Sequence, residues 1–301
     1  MSKKVVDVNG KRLVLSNLEK DLYPSAGFTK AHVLEYYSRI SRFILPHLKD
    51  RALTLKRFPE GVEKEFFFEK RCPSYRPSWV KTADTFFGEK ERMTVCLVND
   101  LDTLVWVANL ASLELHVPLA RVKSRETPDS MVFDLDPGDE ADIVDCARVA
   151  LILRDLLSSL KLACYVKTSG KKGLHVYVPL NLKETFFEDT KKFSKAVAEV
   201  MQRNYPDLVT AKMPKEQRRG RVFINWSQND SSKTMICVYS LRARTEPIVS
   251  FPLTWNEVES LEAEGDPKKF EITHSEAVGR TEKVGDLFGD MILKEQKLPY
   301  L

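Results

Sequence analysis

Ser130-Met131-Val132-Phe133-Asp134-Leu135-Asp136-Pro137-Gly138 is an apolar run that ends in two carboxylates and then a turn-forming Pro-Gly pair. Its composition predicts a strand. On a strand alternate side chains share a face, so Asp134 and Asp136 point one way while Phe133 and Leu135 point into a core. Two carboxylates crowded at a strand end repel each other unless a cation lies between them. D-x-D at such a place therefore suggests a hard divalent ion, Mg²⁺ or Mn²⁺. The bland alternative is an acidic turn after an edge strand, and the motif alone leaves both open.

Working outward, residues 141–160 read as a long amphipathic helix and 165–167 as a short strand. The latter enters Thr168-Ser169-Gly170-Lys171-Lys172-Gly173-Leu174-His175-Val176-Tyr177-Val178-Pro179. Ser, Gly and Lys here predict a tight turn whose backbone N–H and ammonium groups suit phosphate oxygens. It is not a P-loop, because the spacing is wrong and a strand follows where a helix would be needed. On that strand His175 and Tyr177 share one face. Residues 187–204 read as another helix. A basic run follows at 211–221, where Lys212, Lys215, Arg218, Arg219 and Arg221 face one acid, Glu216. The run's net charge equals the whole chain's +4. Residues 221–229 read as a strand ending in a polar turn, 236–240 as a strand leading to Arg242-Ala243-Arg244, and Thr254 as the start of a helix.

Upstream, 11–15 reads as a strand, followed by a loop with a possible capping box from Ser16 to Glu19. Thr29 caps a long helix that carries apolar residues at helical spacing up to Pro46. Residues 52–59 form a strand ending in Lys56, Arg57 and a proline. Phe66-Phe67-Phe68 cannot all face one core on a strand, so at least one faces outward unless both faces are covered. An outward Phe beside Lys56, Arg57 and Lys70 is the aromatic and cationic mix that bases and phosphates require. Residues 100–115 read as helical, with His116 just after.

The chain of 301 residues can bury a sizeable core, and no apolar run approaches the length that crosses a bilayer. Five scattered cysteines, never in C-x-x-C spacing, argue against a zinc site or a disulfide framework and for a reducing cytoplasm. No repeat or flexible linker is visible. A single domain over 1–301 is expected, with its core at about 10–295.

Several ordered blocks carry a resemblance: Lys20-Asp21-Leu22-Tyr23-Pro24, Lys56-Arg57-Phe58-Pro59, Phe67-Phe68-Glu69-Lys70, Glu114-Leu115-His116-Val117-Pro118, Phe133 to Gly138, Ser169 to His175, Asn225-Trp226-Ser227-Gln228-Asn229 and Tyr239-Ser240-Leu241-Arg242. From about Asn17 onward the chain closely resembles the polymerase domain of bacterial ligase D and its stand-alone archaeal relatives. These belong to the archaeo-eukaryotic primase superfamily and work in non-homologous end joining. The resemblance implies a mixed α/β fold, with an RRM-like catalytic sheet packed with a second α/β unit. It implies template-dependent nucleotidyl transfer that fills gaps and extends ends, favouring ribonucleotides, with two Mn²⁺ or Mg²⁺ ions on Asp134 and Asp136.

The resemblance also assigns roles. Lys56, His116, Ser169, Lys172, His175, Gln228, Lys233, Arg242 and Arg244 would bind the nucleoside triphosphate. Phe67, Phe68 and Lys70 would meet the template. Asn17, Lys20 and Lys30 would grip the 5′-phosphate of gapped or 3′-overhang DNA, and Arg218 would lead a mobile loop that guides the incoming strand. No K-x-D-G ligase motif is visible, so a separate ligase and a Ku-like end-binding protein are expected partners, and no membrane.

One position departs from the family. A third metal-binding aspartate is replaced by Asn225, whose neutral amide oxygen is a poorer ligand for a hard dication. Catalysis is expected to be impaired while DNA and nucleotide still bind. Three competing readings remain. One is a non-catalytic end-binding or end-bridging module. Another is a primase that starts chains de novo. The third is a haloacid-dehalogenase-type phosphatase, suggested by Phe133 to Asp136 and by Gly285-Asp286-Leu287-Phe288-Gly289-Asp290.

Overall fold

The structure is a computed structural model that describes residues 3–87 and 91–299. In chain order it contains β1 (Lys3–Val8), β2 (Lys11–Ser16), β3 (Asp21–Tyr23), β4 (Phe28–Thr29), α1 (Lys30–Leu48), β5 (Thr54–Arg57), β6 (Phe67–Glu69), β7 (Thr82–Phe87), β8 (Glu91–Cys96), α2 (Leu101–Asn109) and β9 (Ser112–Val117). There follow β10 (Ser130–Pro137), α3 (Ile143–Ser159), β11 (Tyr165–Thr168), β12 (Leu174–Pro179), α4 (Phe187–Asn204), β13 (Val209–Thr210), β14 (Val222–Asn225), β15 (Met235–Ile236), β16 (Pro252–Leu253), α5 (Trp255–Glu264), α6 (His274–Val284) and α7 (Asp290–Leu293). The chain divides into two compact units. One comprises Met1–Lys123, Thr234–Ser250 and Thr273–Asp286, the other Ser124–Lys233, Phe251–Ile272 and Leu287–Leu301.

The second unit holds the D-x-D strand. Its sheet runs β13-β14-β10-β12-β11-β16. Within it, β10-α3-β11-β12-α4-β14 is a βαββαβ unit whose four strands lie antiparallel in the order β14-β10-β12-β11. That is the RRM-like arrangement. β10 is central, which removes the edge-strand alternative. Met131, Phe133, Leu135, Leu174, Val176, Val178 and Ile224 turn to one face and pack on Ala147, Ala150 and Leu153 of α3 and Phe193 and Val197 of α4. Each such buried side chain contributes roughly 1.5–3 kcal/mol, enough to hold less favourable polar groups on the opposite face. The helices begin where capping predicts: Asp142 accepts from Val144 N–H ahead of α3, and Thr254 accepts from Glu257 N–H ahead of α5.

The first unit contains a four-stranded sheet, β15-β9-β5-β6. α1 starts at Lys30 behind Thr29, whose N–H donates to His32 Nδ1 at 3.0 Å, and it continues two residues past Pro46. The stretch expected to be helical over 100–115 is in fact α2 followed by β9. Ala111 adopts φ 57°, and its carbonyl accepts from Phe58 N–H, so the chain turns after Asn109 and pairs with β5. His116 thus lies on a strand. The apolar run misled because Leu115 continues the helical face of Leu104, Ala108 and Ala111. Likewise Ser16 to Glu19 caps no helix: Asn17 sits at φ 54° in a turn closed by Lys20 N–H to Asn17 carbonyl. The strand expected at 236–240 is only β15.

The cysteine reading needs correction. Cys72 and Cys96 form a disulfide with Cα atoms 4.9 Å apart. Cys72 N–H donates to Thr94 carbonyl, which lays the segment after β6 alongside β8 and brings residues 24 apart in sequence together. Cys146, Cys164 and Cys237 are free and buried. Among the described residues no helix is long and apolar enough to cross a membrane.

Candidate active site and nucleic-acid interface

Strand register places Asn225, Asp134, His175 and Lys167 in one row across β14, β10, β12 and β11. Asp134 is buried and collects three donors on this row and its edge. His175 Nε2 lies 3.2 Å from Oδ1; Asn225 Nδ2 and Gln228 Nε2 each donate to Oδ2 at 3.3 Å. Burial alone would raise its pKa, but the His175 contact and the two amides hold it below the usual carboxylate range. Asp136, one row on, goes the other way: burial and the Asp134 carboxylate push its pKa up, and Arg218 only partly opposes them. The two carboxylates differ in their partners, Asp134 being held by three donors and Asp136 opposed by the Asp134 charge, and their oxygens fit a hard dication. Among the described residues no cluster of three or more His, Cys, Asp or Glu could hold a metal. Asn225 faces Asp134 across the two strands, and its Oδ1 accepts from Ser227 Oγ at 2.8 Å.

Two glycines bring loops onto this strand end. A Cβ on Gly173 would lie 2.0 Å from the Leu135 carbonyl oxygen, so only glycine lets the 169–173 turn rest against β10. A Cβ on Gly138 would lie 1.9 Å from the Arg218 carbonyl oxygen, so glycine also lets the basic loop cross there. Arg218 stacks on Phe223, 3.7 Å from the ring centroid, and donates to Met213 carbonyl. The turn differs in one respect from its reading as a backbone cradle. Lys171 and Gly173 N–H both donate to Ser169 Oγ at 3.2 Å, and the Lys171 and Lys172 side chains are exposed. Lys233 donates to Ser227 Oγ at 2.8 Å, so a chain of contacts links it through Ser227 to Asn225. Asn229, part of the Asn225-to-Asn229 motif but given no role by the resemblance, is structural. Fully buried, it accepts from Val132 N–H at 2.9 Å and donates to Val132 carbonyl at 2.7 Å, completing the β10 ladder beyond the end of β14.

In the first unit, β5 and β6 gather the aromatic and basic residues. Phe66, Phe67 and Phe68 are 49%, 44% and 56% exposed, so the strand is not covered on both faces. Lys56 Nζ lies 3.8 Å from the Phe66 ring centroid and 5.7 Å from that of Phe68; the Arg57 guanidinium lies 5.0 Å from that of Phe67. Lys70 is exposed just after β6. On neighbouring β9, His116 and Glu114 share a face, with His116 Nε2 2.9 Å from Glu114 Oε2 and Arg242 Nη1 3.3 Å from the same oxygen. Burial would raise the Glu114 pKa, but His116 and Arg242 hold it down at about 2. Arg242 is buried and Arg244 half-buried.

Asn17, Lys20 and Lys30 also come together. Lys30 N–H donates to Lys20 carbonyl at 2.8 Å, and Lys30 Nζ donates to Ser16 carbonyl at 2.7 Å. Neither lysine is a freely solvated surface group: Lys30 is 5% exposed, and Lys20 pairs with Glu60 at 2.6 Å. Burial, with Arg57 and Lys20 nearby, lowers the Lys30 pKa to about 8. These groups surround the first turn of α1, where the helix dipole favours an anion. The late acidic motif is otherwise engaged, since Asp286 binds His47 at 2.8 Å and Tyr239 OH at 2.6 Å, and Asp290 accepts from Tyr165 OH at 3.0 Å.

The model of the LigD primase-polymerase domain matches residues 29–288. The chain belongs to the LigD primase-polymerase family. Relatives include the multifunctional non-homologous end joining protein LigD of Mycolicibacterium smegmatis, 39% identical over 282 residues, covering 93% of this chain and 36% of that protein. The bifunctional non-homologous end joining protein LigD of Bacillus subtilis is 34% identical over 249 residues, covering 83% of this chain and 40% of that protein. This chain therefore spans well under half the length of these relatives. Among solved structures, the polymerase domain of Mycobacterium tuberculosis ligase D in complex with DNA matches with a TM-score of 0.87 and 35% identity, covering 95% of this chain and 99% of that one. The mixed α/β primase-polymerase fold expected from the sequence is thus the fold of the LigD family.

Proposed function

We propose that the chain is a template-dependent nucleotidyltransferase that fills gaps and extends 3′ ends in non-homologous end joining, with residues 1–301 acting as one functional domain. The observation that carries this reading is the single row Asn225-Asp134-His175, with Asp136 beside it and the lysine-bearing turn resting on the same strand end. Asp134 and Asp136 would hold Mn²⁺ or Mg²⁺, which when bound activates an attacking hydroxyl and neutralises pyrophosphate. His175 keeps Asp134 ionised and turned toward the site. Ser169, Lys172 and Lys233 donate to phosphate oxygens, while Gln228 steadies Asp134. In the first unit Phe67 and Phe68 stack on template bases, Lys56 and Lys70 neutralise backbone, and His116, Arg242 and Arg244 contact the nucleotide. Asn17, Lys20 and Lys30 bind the 5′-phosphate; Lys20 exchanges Glu60 for it. Arg218 leads the loop that guides the incoming strand.

Asn225 makes the chain a weakened catalyst, because its amide hydrogen, not an oxygen, faces Asp134. Ribonucleotides are the favoured substrates, and a ligase and a Ku-like protein are the partners. The compartment is the cytoplasm, where bacterial and archaeal DNA lies, although the Cys72–Cys96 bond removes the cysteine argument for it. The test is primer extension on gapped DNA, with and without the 5′-phosphate, in Mn²⁺. Extension that depends on template and is stimulated by the phosphate supports the reading. Binding to DNA without extension, even after Asn225→Asp, would favour an end-bridging module.

A further inference from the structure

Glu114 has no place in that scheme, yet it is a buried charge with both oxygens engaged. It is 1% exposed, on β9, and three donors converge on its two oxygens. Oε1 accepts from Ala243 N–H at 3.1 Å. Oε2 lies 2.9 Å from His116 Nε2 and 3.3 Å from Arg242 Nη1. The segment it holds is otherwise set by backbone contacts: Tyr36 OH donates to Tyr239 carbonyl at 2.7 Å, Tyr23 OH donates to Arg242 carbonyl at 3.1 Å, and Tyr239 sits at φ 65°. Glu114 alone of these contacts touches the working ends of both His116 and Arg242.

We infer that Glu114 is the positioning residue of this cluster: it fixes His116 as the Nε2–H tautomer, leaving Nδ1 as an acceptor, and aligns Arg242 and residues 243–244. This deepens, and rests on, the nucleotide-binding reading above. A carboxylate is acceptor-only, so the imidazole nitrogen facing it carries the proton and the other nitrogen keeps its lone pair. Burial lowers the His116 pKa, which keeps the ring neutral despite Glu114. A neutral ring with a free lone pair recognises a hydroxyl, not a phosphate. His116 therefore accepts from a sugar hydroxyl of the nucleotide, while Arg242 takes the negative charge.

The isosteric change Glu114→Gln is informative because an amide has one acceptor oxygen where three donors converge. Either its NH₂ faces Ala243 N–H, or it faces Arg242 and donates to His116 Nε2, which reverses the tautomer. The experiment uses the full chain in Mn²⁺ with gapped DNA carrying a templating dT. ATP and 2′,3′-dideoxy-ATP are titrated, and the His116 ring nitrogens are read by ¹⁵N NMR at one fixed pH. The parent is expected to show an unprotonated Nδ1 and to prefer ATP. Glu114→Gln is expected to move the Nδ1 resonance to the protonated range, weaken ATP about tenfold and shrink its preference over the dideoxy form. Unchanged ring resonances and ATP affinity would overturn the inference. If Glu114→Gln does not fold, Glu114→Asp is read in the same way: restored resonances with restored affinity support it, and native affinity with a reversed tautomer overturns it. A parent that binds no nucleotide refutes the nucleotide reading, while its NMR spectrum still decides the tautomer.

Discussion

Asn225→Asp tests the carboxylate site most directly. Asn225 Nδ2 lies 3.3 Å from Asp134 Oδ2. Replacing that nitrogen by a charged oxygen would produce a repulsion of about 5 kcal/mol at an effective dielectric of about 20. Protonation offers a less costly escape. Lifting a carboxyl from its unfolded value to pH 7 spans about three pH units at about 1.4 kcal/mol each, or about 4 kcal/mol. The escape sets the ceiling, so the metal-free variant should lose up to about 4 kcal/mol. For a chain of this size that is a drop in Tm of about 6 °C, read by thermal unfolding in EDTA. Mn²⁺ should offset most of the loss, because the ion binds only the folded state, and at a hundredfold excess over its Kd adds about 2.7 kcal/mol. The parent should gain less from Mn²⁺, having two carboxylates where the variant has three. Primer extension on gapped DNA should rise at least about tenfold. Equal extension by parent and variant, with equal Mn²⁺-induced shifts in Tm, would refute the reasoning.

Further outcomes follow from the same geometry. Gly138→Ala should displace the basic loop, since its Cβ would lie 1.9 Å from the Arg218 carbonyl oxygen; limited proteolysis should then cut residues 211–221 faster. Phe67→Ala and Phe68→Ala should each weaken single-stranded template binding by about 1–3 kcal/mol in a fluorescence titration, with 5′-phosphate dependence retained. Glu114, held at about 2 against an unfolded value of 4.5, should contribute on the order of 3 kcal/mol. Because its folded pKa is the lower one, that stability is present above the unfolded value and lost as pH falls through about 2; acid unfolding of Glu114→Gln should lack this component. Lys30, lowered to about 8, binds fewer protons when folded, so stability should rise with pH between about 8 and 10.5. A 5′-phosphate opposes that shift, so the advantage of phosphorylated gapped DNA should shrink above pH 8, and Lys30→Arg should flatten the profile.

The sequence by itself determined what local chemistry decides. The apolar run over residues 130–136 pointed to a strand, whose period of two put Asp134 and Asp136 on one face; capping residues set the starts of α1 and α5; and three consecutive phenylalanines required either exposure on one face or cover on both. His175 and Tyr177 were placed on one face for the same period-two reason. Where one pattern served two periods, the reading failed: Leu115 extends the helical face of Leu104, Ala108 and Ala111 and also alternates with Leu113 as on a strand, and only pairing of β9 with β5 resolved them. Tertiary structure alone decided which strands lie side by side. That register joins Asn225, Asp134, His175 and Lys167 across four strands, turns Gly138 and Gly173 into contact points, brings Cys72 to Cys96, and encloses Glu114 between His116 and Arg242. The physical reason is distance along the chain: Asp134 and Asn225 are 91 residues apart, and Glu114 and Ala243 are 129. Side-chain type told what each could do, and pairing of distant strands decided what each touches.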